Sequence, residues 1–196
     1  MSKFIYIFFL MFIFSSDVYL KINTEKSNIK WEASKSNGSS HYGNIQMSSG
    51  GVKLDKNQII GANFIIDMNS IVCTDIKDTS SNQYLISHLK NEDFFDTALF
   101  PEASMNIITV KKINNTNIDN YLITADLTIL NQTHPIEFLS SVIIKKGIAM
   151  AEGKISINRA QYGIKYKSKS WFKDLGDRFI NDIFYLYFSL VAMEDK

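Results

Sequence analysis

Apolar and polar positions alternate along most of this chain, in short runs that end in turn-forming residues. Ile29–Ala33 has the period of a strand with one buried face. Ser36–Ser40 is a loop by composition, and His41–Ile45 begins the next strand, with a turn expected at Ser49-Gly50-Gly51. Val52–Leu54, a polar turn at Asp55-Lys56-Asn57, and a long apolar strand over Ile59–Met68 follow; Gly61 inside that strand suggests a bulge. Later, Met105–Val110 reads as a strand and Asn114–Asn120 as a turn. Tyr121, Ile123, Ala125, Leu127 and Ile129 then share one face of a strand, and Asn131–Pro135 turns the chain. Ile136, Phe138, Val142 and Ile144 share the next strand's parity, Lys145-Lys146-Gly147 turns, and Ile148–Ile157 returns. Tyr162–Lys169 is two-faced, with Lys165, Lys167 and Lys169 opposite Ile164, Tyr166 and Ser168. After a loop at Asp174–Asn181, Ile183–Ala192 is apolar on both faces, as a final strand covered on both sides would be.

The alternation breaks once. Asp78, Thr79, Ser80 or Ser81 can cap a helix, and Leu85, Ile86 and Leu89 form one apolar helical stripe ending near Asn91. The run His88–Ala103, HLKNEDFFDTALFPEA, carries Phe94, Phe95 and Phe100 through a turn before Pro101. About eight strands at short spacing with one helix predict an all-β fold with the signature of an antiparallel barrel, a barrel or sandwich in which the helix and turn form a plug or flap. A barrel of that size has room inside for one small ligand.

Length and composition narrow the frame. A chain of 196 residues is one domain by default and buries a substantial core. Its net charge of +1 has no clustered basic face, which argues against a nucleic-acid partner. Aromatic residues at 13% supply large rings for a wide interior. The first residues, Met1-Ser2-Lys3 and then the apolar run Phe4–Phe14, have the layout of a secretory leader, although no A-x-A-like cleavage signature follows. We therefore expect residues 1–19 to be a signal peptide, residues 20–196 the domain, and the protein periplasmic or secreted; the competing reading makes the run a buried strand. Cys73 is the single cysteine, so no internal disulfide forms and a buried apolar role is expected.

Catalytic constellations are not evident. His41, His88 and His134 show no metal-ligand spacing, no nucleophile elbow or phosphate cradle occurs, and the carboxylates at Glu92-Asp93 and Asp174/Asp177 read as solvated loop charges. No cofactor, metal or catalytic residue is expected. The Lys165/Lys167/Lys169 stripe has two readings, a solvated outer face or a contact for an anionic membrane surface.

The motifs in order carry a resemblance. SNIKW (Ser27–Trp31), SSHYGNI (Ser39–Ile45), GANFIIDMNSI (Gly61–Ile71), His88–Ala103, ADLTILNQTHPIEF (Ala125–Phe138), ISINRAQYGIKY (Ile155–Tyr166) and LGDRFINDIFYLYFSLVA (Leu175–Ala192) together resemble the YceI-like family of polyisoprenoid-binding, lipocalin-like barrels. The departures lie at barrel ends: Glu32-Ala33 after the tryptophan, a longer loop before His41, and Leu130-Asn131 where the family has a basic-glycine pair. The resemblance implies an exported, eight-stranded antiparallel lipocalin-like barrel with one short helix near an opening, and an elongated apolar cavity for a long-chain amphiphile such as a polyisoprenoid, a quinone-like molecule or a fatty amide, with roles in transport, storage or stress response. On strand parity, Leu127, Ile129, Phe138, Ile164 and Tyr166 line the tunnel, while Phe94, Phe95 and Trp171 shape its mouth. Trp31, Phe64, Ile66, Leu89, Ile157 and Tyr162 complete the candidate ligand contacts. Two other classes compete: a solid-core barrel that acts as a surface interaction module, alone or as a homodimer, and, ranked last, an enzyme acting on isoprenoid lipids.

Overall fold

The computed structural model describes residues 17–113, 120–176 and 179–195. The apolar run Phe4–Phe14, most of the Asn114–Asn120 turn, and Asp177 lie outside them. Among the described residues nine strands and one α-helix follow in order: β1 (Val18–Ile22), β2 (Asn28–Lys35), β3 (Ser40–Asp55), β4 (Gln58–Cys73), α1 (Thr79–Lys90), β5 (Glu102–Lys112), β6 (Tyr121–Ile129), β7 (Gln132–Lys145), β8 (Ile148–Asn158) and β9 (Ile180–Met193).

The nine strands make eight staves of one closed antiparallel barrel. The ring runs β3-β2-β9-β8-β7-β6-β5-β4 and closes where β4 pairs with β3. β1 and β2 share a stave. Both pair antiparallel with β3 and β9, β1 at Leu20↔Val52 and Ile22↔Ala192, β2 at Trp31↔Gly43 and Trp31↔Leu186. Closure removes every long free edge, so the backbone polar groups of the staves pair internally. Val18 and Tyr19, grouped with the leader on sequence grounds, thus form the start of a strand.

Alternation sets the inner face. On β6 Ile123, Ala125, Leu127 and Ile129 are buried, and on β7 Phe138, Ser140 and Val142. Three hairpins use two-residue turns with both residues left-handed: Lys56-Asn57, Leu130-Asn131 and Lys146-Gly147. That geometry matches the twist of the flanking strands.

Four sequence expectations change. Ser49-Gly50-Gly51 is no turn: β3 runs through it, paired with Ile65, Phe64 and Asn63 of β4, and a Cβ would meet the Asn63 carbonyl at position 50 and the Tyr19 ring at position 51. The expected turn at Asn131–Pro135 is only Leu130-Asn131, and Pro135 lies within β7. Its missing donor is tolerated because β7 has there outrun its pairing with β8, which begins at Ser140↔Gly153. Tyr162–Lys169 is not a strand: a 3-10 turn over Arg159–Tyr162 ends at left-handed Gly163, and tight turns follow. Finally, β9 has one inner apolar face. Outside, Lys154 lies 3.7 Å from the Tyr185 ring centroid and 5.2 Å from that of Tyr187, so no second layer covers it.

The connections sort to two ends. The β2–β3 and β6–β7 turns, the long β4–β5 connection containing α1, and the β8–β9 connection lie at one end, called here the upper end. The Asp78 side chain caps α1 through the Ser81 amide, and Asn82 Nδ2 donates to the Cys73 and Ile76 carbonyls. At the other end of the helix Lys90 Nζ donates to the Asn69 carbonyl at 2.6 Å. Both ends of the helix are therefore tied to the β4 side of the barrel rim.

Candidate functional site

The interior holds two apolar chambers stacked along the barrel. The upper one is bounded by Trp31, Ile45, Met68, Leu89, Phe94, Phe95, Ala103, Ile129, Ile157 and Phe184, with Arg159 and Asn181 as its polar neighbours. The lower one is bounded by Met47, Val52, Ala62, Phe64, Met105, Ile107, Ile123, Phe138, Ile155, Phe188 and Leu190, with Ser140 as its one polar side chain. Counted with solvent at their openings, they enclose about 860 and 840 Å³ of empty space. Ile29, Ile66, Leu127 and Leu186 border both, so the chambers meet at a waist of four aliphatic side chains.

Each part of the wall follows from local sequence. Trp31 sits across from Gly43, and its Nε1 donates to the Val72 carbonyl at 3.0 Å. A Cβ at position 43 would overlap that same carbonyl, which explains a glycine in the middle of β3. After α1, the Phe95 amide donates to the Leu89 carbonyl and the Phe94 amide to that of Asn91. This tight turn swings Leu89, Phe94 and Phe95 over the upper chamber as a plug. Edge-to-face pairs Phe95–Phe184 and Phe138–Phe188 set the walls of the two chambers.

Ten of the residues singled out by sequence border the chambers: Trp31, Phe64, Ile66, Leu89, Phe94, Phe95, Leu127, Ile129, Phe138 and Ile157. Four do not. Tyr162 is packed in the core against His134, rings 5.0 Å apart. Ile164 is buried in the loop outside the chambers. Tyr166 seals the plug from outside, edge-on to His88 at 4.5 Å and tilted against Phe94 at 5.4 Å. Trp171 stands in solvent. Strand parity points Ile164 and Tyr166 inward, but the segment that carries them is a succession of turns rather than a strand, and the same turns carry Trp171 away from the mouth.

Sequence reasoning missed Arg159 at the upper chamber. It is 4% exposed. Its Nε donates to the Asn181 carbonyl at 3.2 Å, Nη1 to the carbonyls of Ile164 and Tyr166 at 3.3 and 2.9 Å, and Nη2 to that of Ile180 at 3.0 Å. Asp182 Oδ1 lies 3.2 Å from Nη2. The guanidinium thus ties the β8–β9 connection to the start of β9. Burial opposes charge on Asp182, but the Ser170 and Ser168 hydroxyls and the Arg159 charge outweigh it and hold the carboxyl below its ordinary value. Two arginines against nineteen lysines was the available signal: arginine stands where several planar hydrogen bonds must converge.

Among the described residues, Arg159 is the one ionisable side chain that borders the chambers. Asp75 accepts from His41 Nδ1 at 2.8 Å, from the Tyr42 amide and from the Cys73 thiol, on the rim rather than within the chambers. Burial pushes that thiol up, away from the reactive thiolate. Among the described residues no group of three His, Cys, Asp or Glu side chains is placed to hold a metal ion.

The Tyr162 hydroxyl is fully buried without a hydrogen-bond partner, and burial pushes its pKa up to about 12. Removing an unmet buried hydroxyl relieves a desolvation penalty of about 1 kcal/mol. Tyr162→Phe should raise the unfolding midpoint by roughly 2–4 °C in a calorimetric scan. A drop instead would show that the hydroxyl has a bonded partner, such as a buried water.

Solved structures share this architecture. Burkholderia cenocepacia BcnA superimposes with a TM-score of 0.68 at 21% identity, covering 88% of this chain and 99% of that one. A polyisoprenoid binding domain from Saccharophagus degradans, implicated in plant cell wall breakdown, gives 0.62 at 14% identity over 90% and 98%. The Campylobacter jejuni YCEI protein gives 0.55 at 14% over 100% and 94%. No protein of curated function is matched by the sequence. At these identities the structures speak for the fold alone. The family model of the YceI-like domain matches residues 20–192, and with an eight-stave barrel around two apolar chambers the chain belongs to the YceI-like family.

Proposed function

We propose that this protein is an exported carrier that holds a long-chain amphiphile, a polyisoprenoid, quinone-like molecule or fatty amide, along the barrel axis for transport, storage or stress response. The observation that carries the reading is the pair of carbon-lined chambers joined at an aliphatic waist. Burying each methylene of a ligand there is worth about 0.8 kcal/mol, so chain length rather than polar contact sets affinity. Arg159 is the one ionisable side chain bordering the chambers among the described residues, and its N–H groups are already directed at four carbonyls and Asp182. A charged head group would find no free counter-charge inside, so the chambers suit an uncharged chain with its head at the upper rim. The name of the Saccharophagus degradans relative, a polyisoprenoid binding domain, supports the same ligand class. Export rests on the leader-like start of the sequence. The test is native mass spectrometry of protein purified from cells, followed by solvent extraction. A long-chain lipid released into the organic phase is the expected result. Bare protein that also refuses an added polyprenol and an added fatty amide would overturn it and move the weight to a solid-core surface module.

A further inference from the structure

We infer that the loop Lys165–Lys173 at the upper end is a docking surface for an anionic lipid bilayer, through which the proposed carrier exchanges its cargo; the inference rests on the carrier reading. The loop holds two large aromatics in water: Trp171 is 48% and Phe172 49% exposed. They are held there by structure. The Trp171 and Phe172 amides both donate to the Ser168 carbonyl, the Ser168 amide donates to that of Lys165, and Ser170 Oγ donates to Asp182 at 2.6 Å. From the far side Arg159 fixes the Ile164 and Tyr166 carbonyls. Adjacent exposed aromatics on a braced loop mark a contact surface, and amphipathic rings favour the level of lipid head groups.

Charge selects the partner. Lys165, Lys167, Lys169 and Lys173 stand in this segment, with the carboxylates Asp174 and Asp177 following it in sequence. Among the described residues none of the four lysines is ion-paired; Lys165 lies 4.3 Å from the Trp171 ring centroid, Lys167 5.3 Å from that of Tyr166 and Lys169 4.9 Å from that of Phe179. Of the other carboxylates at this end, Asp93 is engaged by His88, Asp75 by His41, Asp182 by Arg159 and Ser170, and Asp78 caps α1; Asp96 is half-buried, and Glu92 and Glu102 are exposed. Free lysines around a pair of aromatics complement an anionic, partly apolar surface. Continuity with the chamber completes the case. Tyr166, within this loop, packs on Phe94 of the plug, and the Ile180 amide, beside the chamber wall, donates to the Lys167 carbonyl. Docking here places the plug against lipid, so an apolar chain need not cross water.

The experiment is co-sedimentation of the purified protein with vesicles of pure phosphatidylcholine and vesicles one-third phosphatidylglycerol, with extractable lipid measured on the same samples. Binding to the anionic vesicles alone, weakening as salt rises, is expected. The triple change K165Q/K167Q/K169Q should lose on the order of a hundredfold in affinity, since each lysine near an anionic surface contributes about fivefold. W171A/F172A should also weaken binding while keeping its salt dependence. Neither variant should change cargo content, because none of these side chains borders a chamber. Absence of vesicle binding, equal binding to both vesicle types, or wild-type binding by both variants would overturn the inference. Equal affinity for polyglutamate with no effect of W171A/F172A would also overturn it, in favour of an acidic protein partner. Vesicle failure with cargo retained leaves the carrier reading standing, whereas docking without any cargo leaves the surface standing and removes the carrier.

Discussion

Replacing Arg159 by methionine should lower the unfolding midpoint by on the order of 10 °C. Methionine fills much of the same volume but cannot meet the carbonyls of Asn181, Ile164, Tyr166 and Ile180, and it leaves Asp182 without its cation. Removing one partner of a buried pair costs about 3–5 kcal/mol, because the remaining charge stays desolvated, and each kcal/mol moves the midpoint of a domain this size by roughly 2–4 °C. Burial lowers the guanidinium pKa and Asp182 opposes that pull. The pH dependence gives a second readout. The folded-state pKa of Asp182 is depressed from its ordinary 3.8, so its contribution is present above that value and is lost as pH falls through the folded value. The gap in midpoint between wild type and Arg159→Met should therefore be widest near neutral pH and narrow in acid. A gap that stays constant from neutral pH into strong acid would show that the ion pair contributes nothing and that the carbonyl contacts carry the whole effect. Arginine to lysine should recover little, since one ammonium cannot reach four carbonyls arranged around a planar fork.

The barrel was legible because its staves obey a rule that needs no tertiary information. In β6 every second residue from Ile123 to Ile129 faces inward, as the alternation requires. The helix was legible from Asp78 and the stripe Leu85, Ile86 and Leu89, which pack against the core. The segment after β8 misled for a physical reason. Burial there does alternate, with Ile164 and Ser168 buried and Lys165, Lys167 and Lys169 exposed, but the alternation comes from successive turns through left-handed Gly163 and Lys167 rather than from a pleat. A period of two cannot distinguish these cases over the eight residues Tyr162–Lys169. Trp171 consequently lies outside the chambers, and Phe184, Leu186, Phe188 and Leu190 of β9 supply wall that the run Ile183–Ala192 could not resolve into an inner and an outer face. Arg159 was invisible to pattern reasoning because its partners are main-chain carbonyls, which no sequence motif spells out. The split first stave was hidden as well: Val18–Ile22 straddles the expected end of the leader, and only pairing with β3 and β9 aligns it end to end with β2.

Ala103→Phe should cut the affinity for a long-chain ligand about a hundredfold without destabilising the protein. Ala103 lies on β5 opposite Ile66, just above the waist, and its methyl borders the upper chamber. A ring there enters space that is otherwise empty, so it displaces ligand rather than wall. Excluding roughly four methylenes of a bound chain removes about 3 kcal/mol of burial, which is about two decades in Kd. The measurement is displacement of a neutral fluorescent fatty amide by polyprenols of increasing length, together with a thermal scan. Ala62→Phe in the lower chamber, opposite Ile107, supplies the complement. If one chain threads the waist, Ala62→Phe should spare short polyprenols, which fit the upper chamber alone, and penalise long ones, while Ala103→Phe penalises both. If the chambers bind two separate molecules, each substitution should halve the stoichiometry and leave the length dependence unchanged. A solid interior predicts a third pattern, since a ring forced into packed side chains costs about 1–3 kcal/mol of stability. Loss of stability with unaltered binding in both variants would therefore remove the chambers as the site. The waist residues Ile29, Ile66, Leu127 and Leu186 are all branched aliphatics. They offer a flexible isoprenoid or acyl chain a passage without a polar contact, and so the single threaded chain is the outcome we expect.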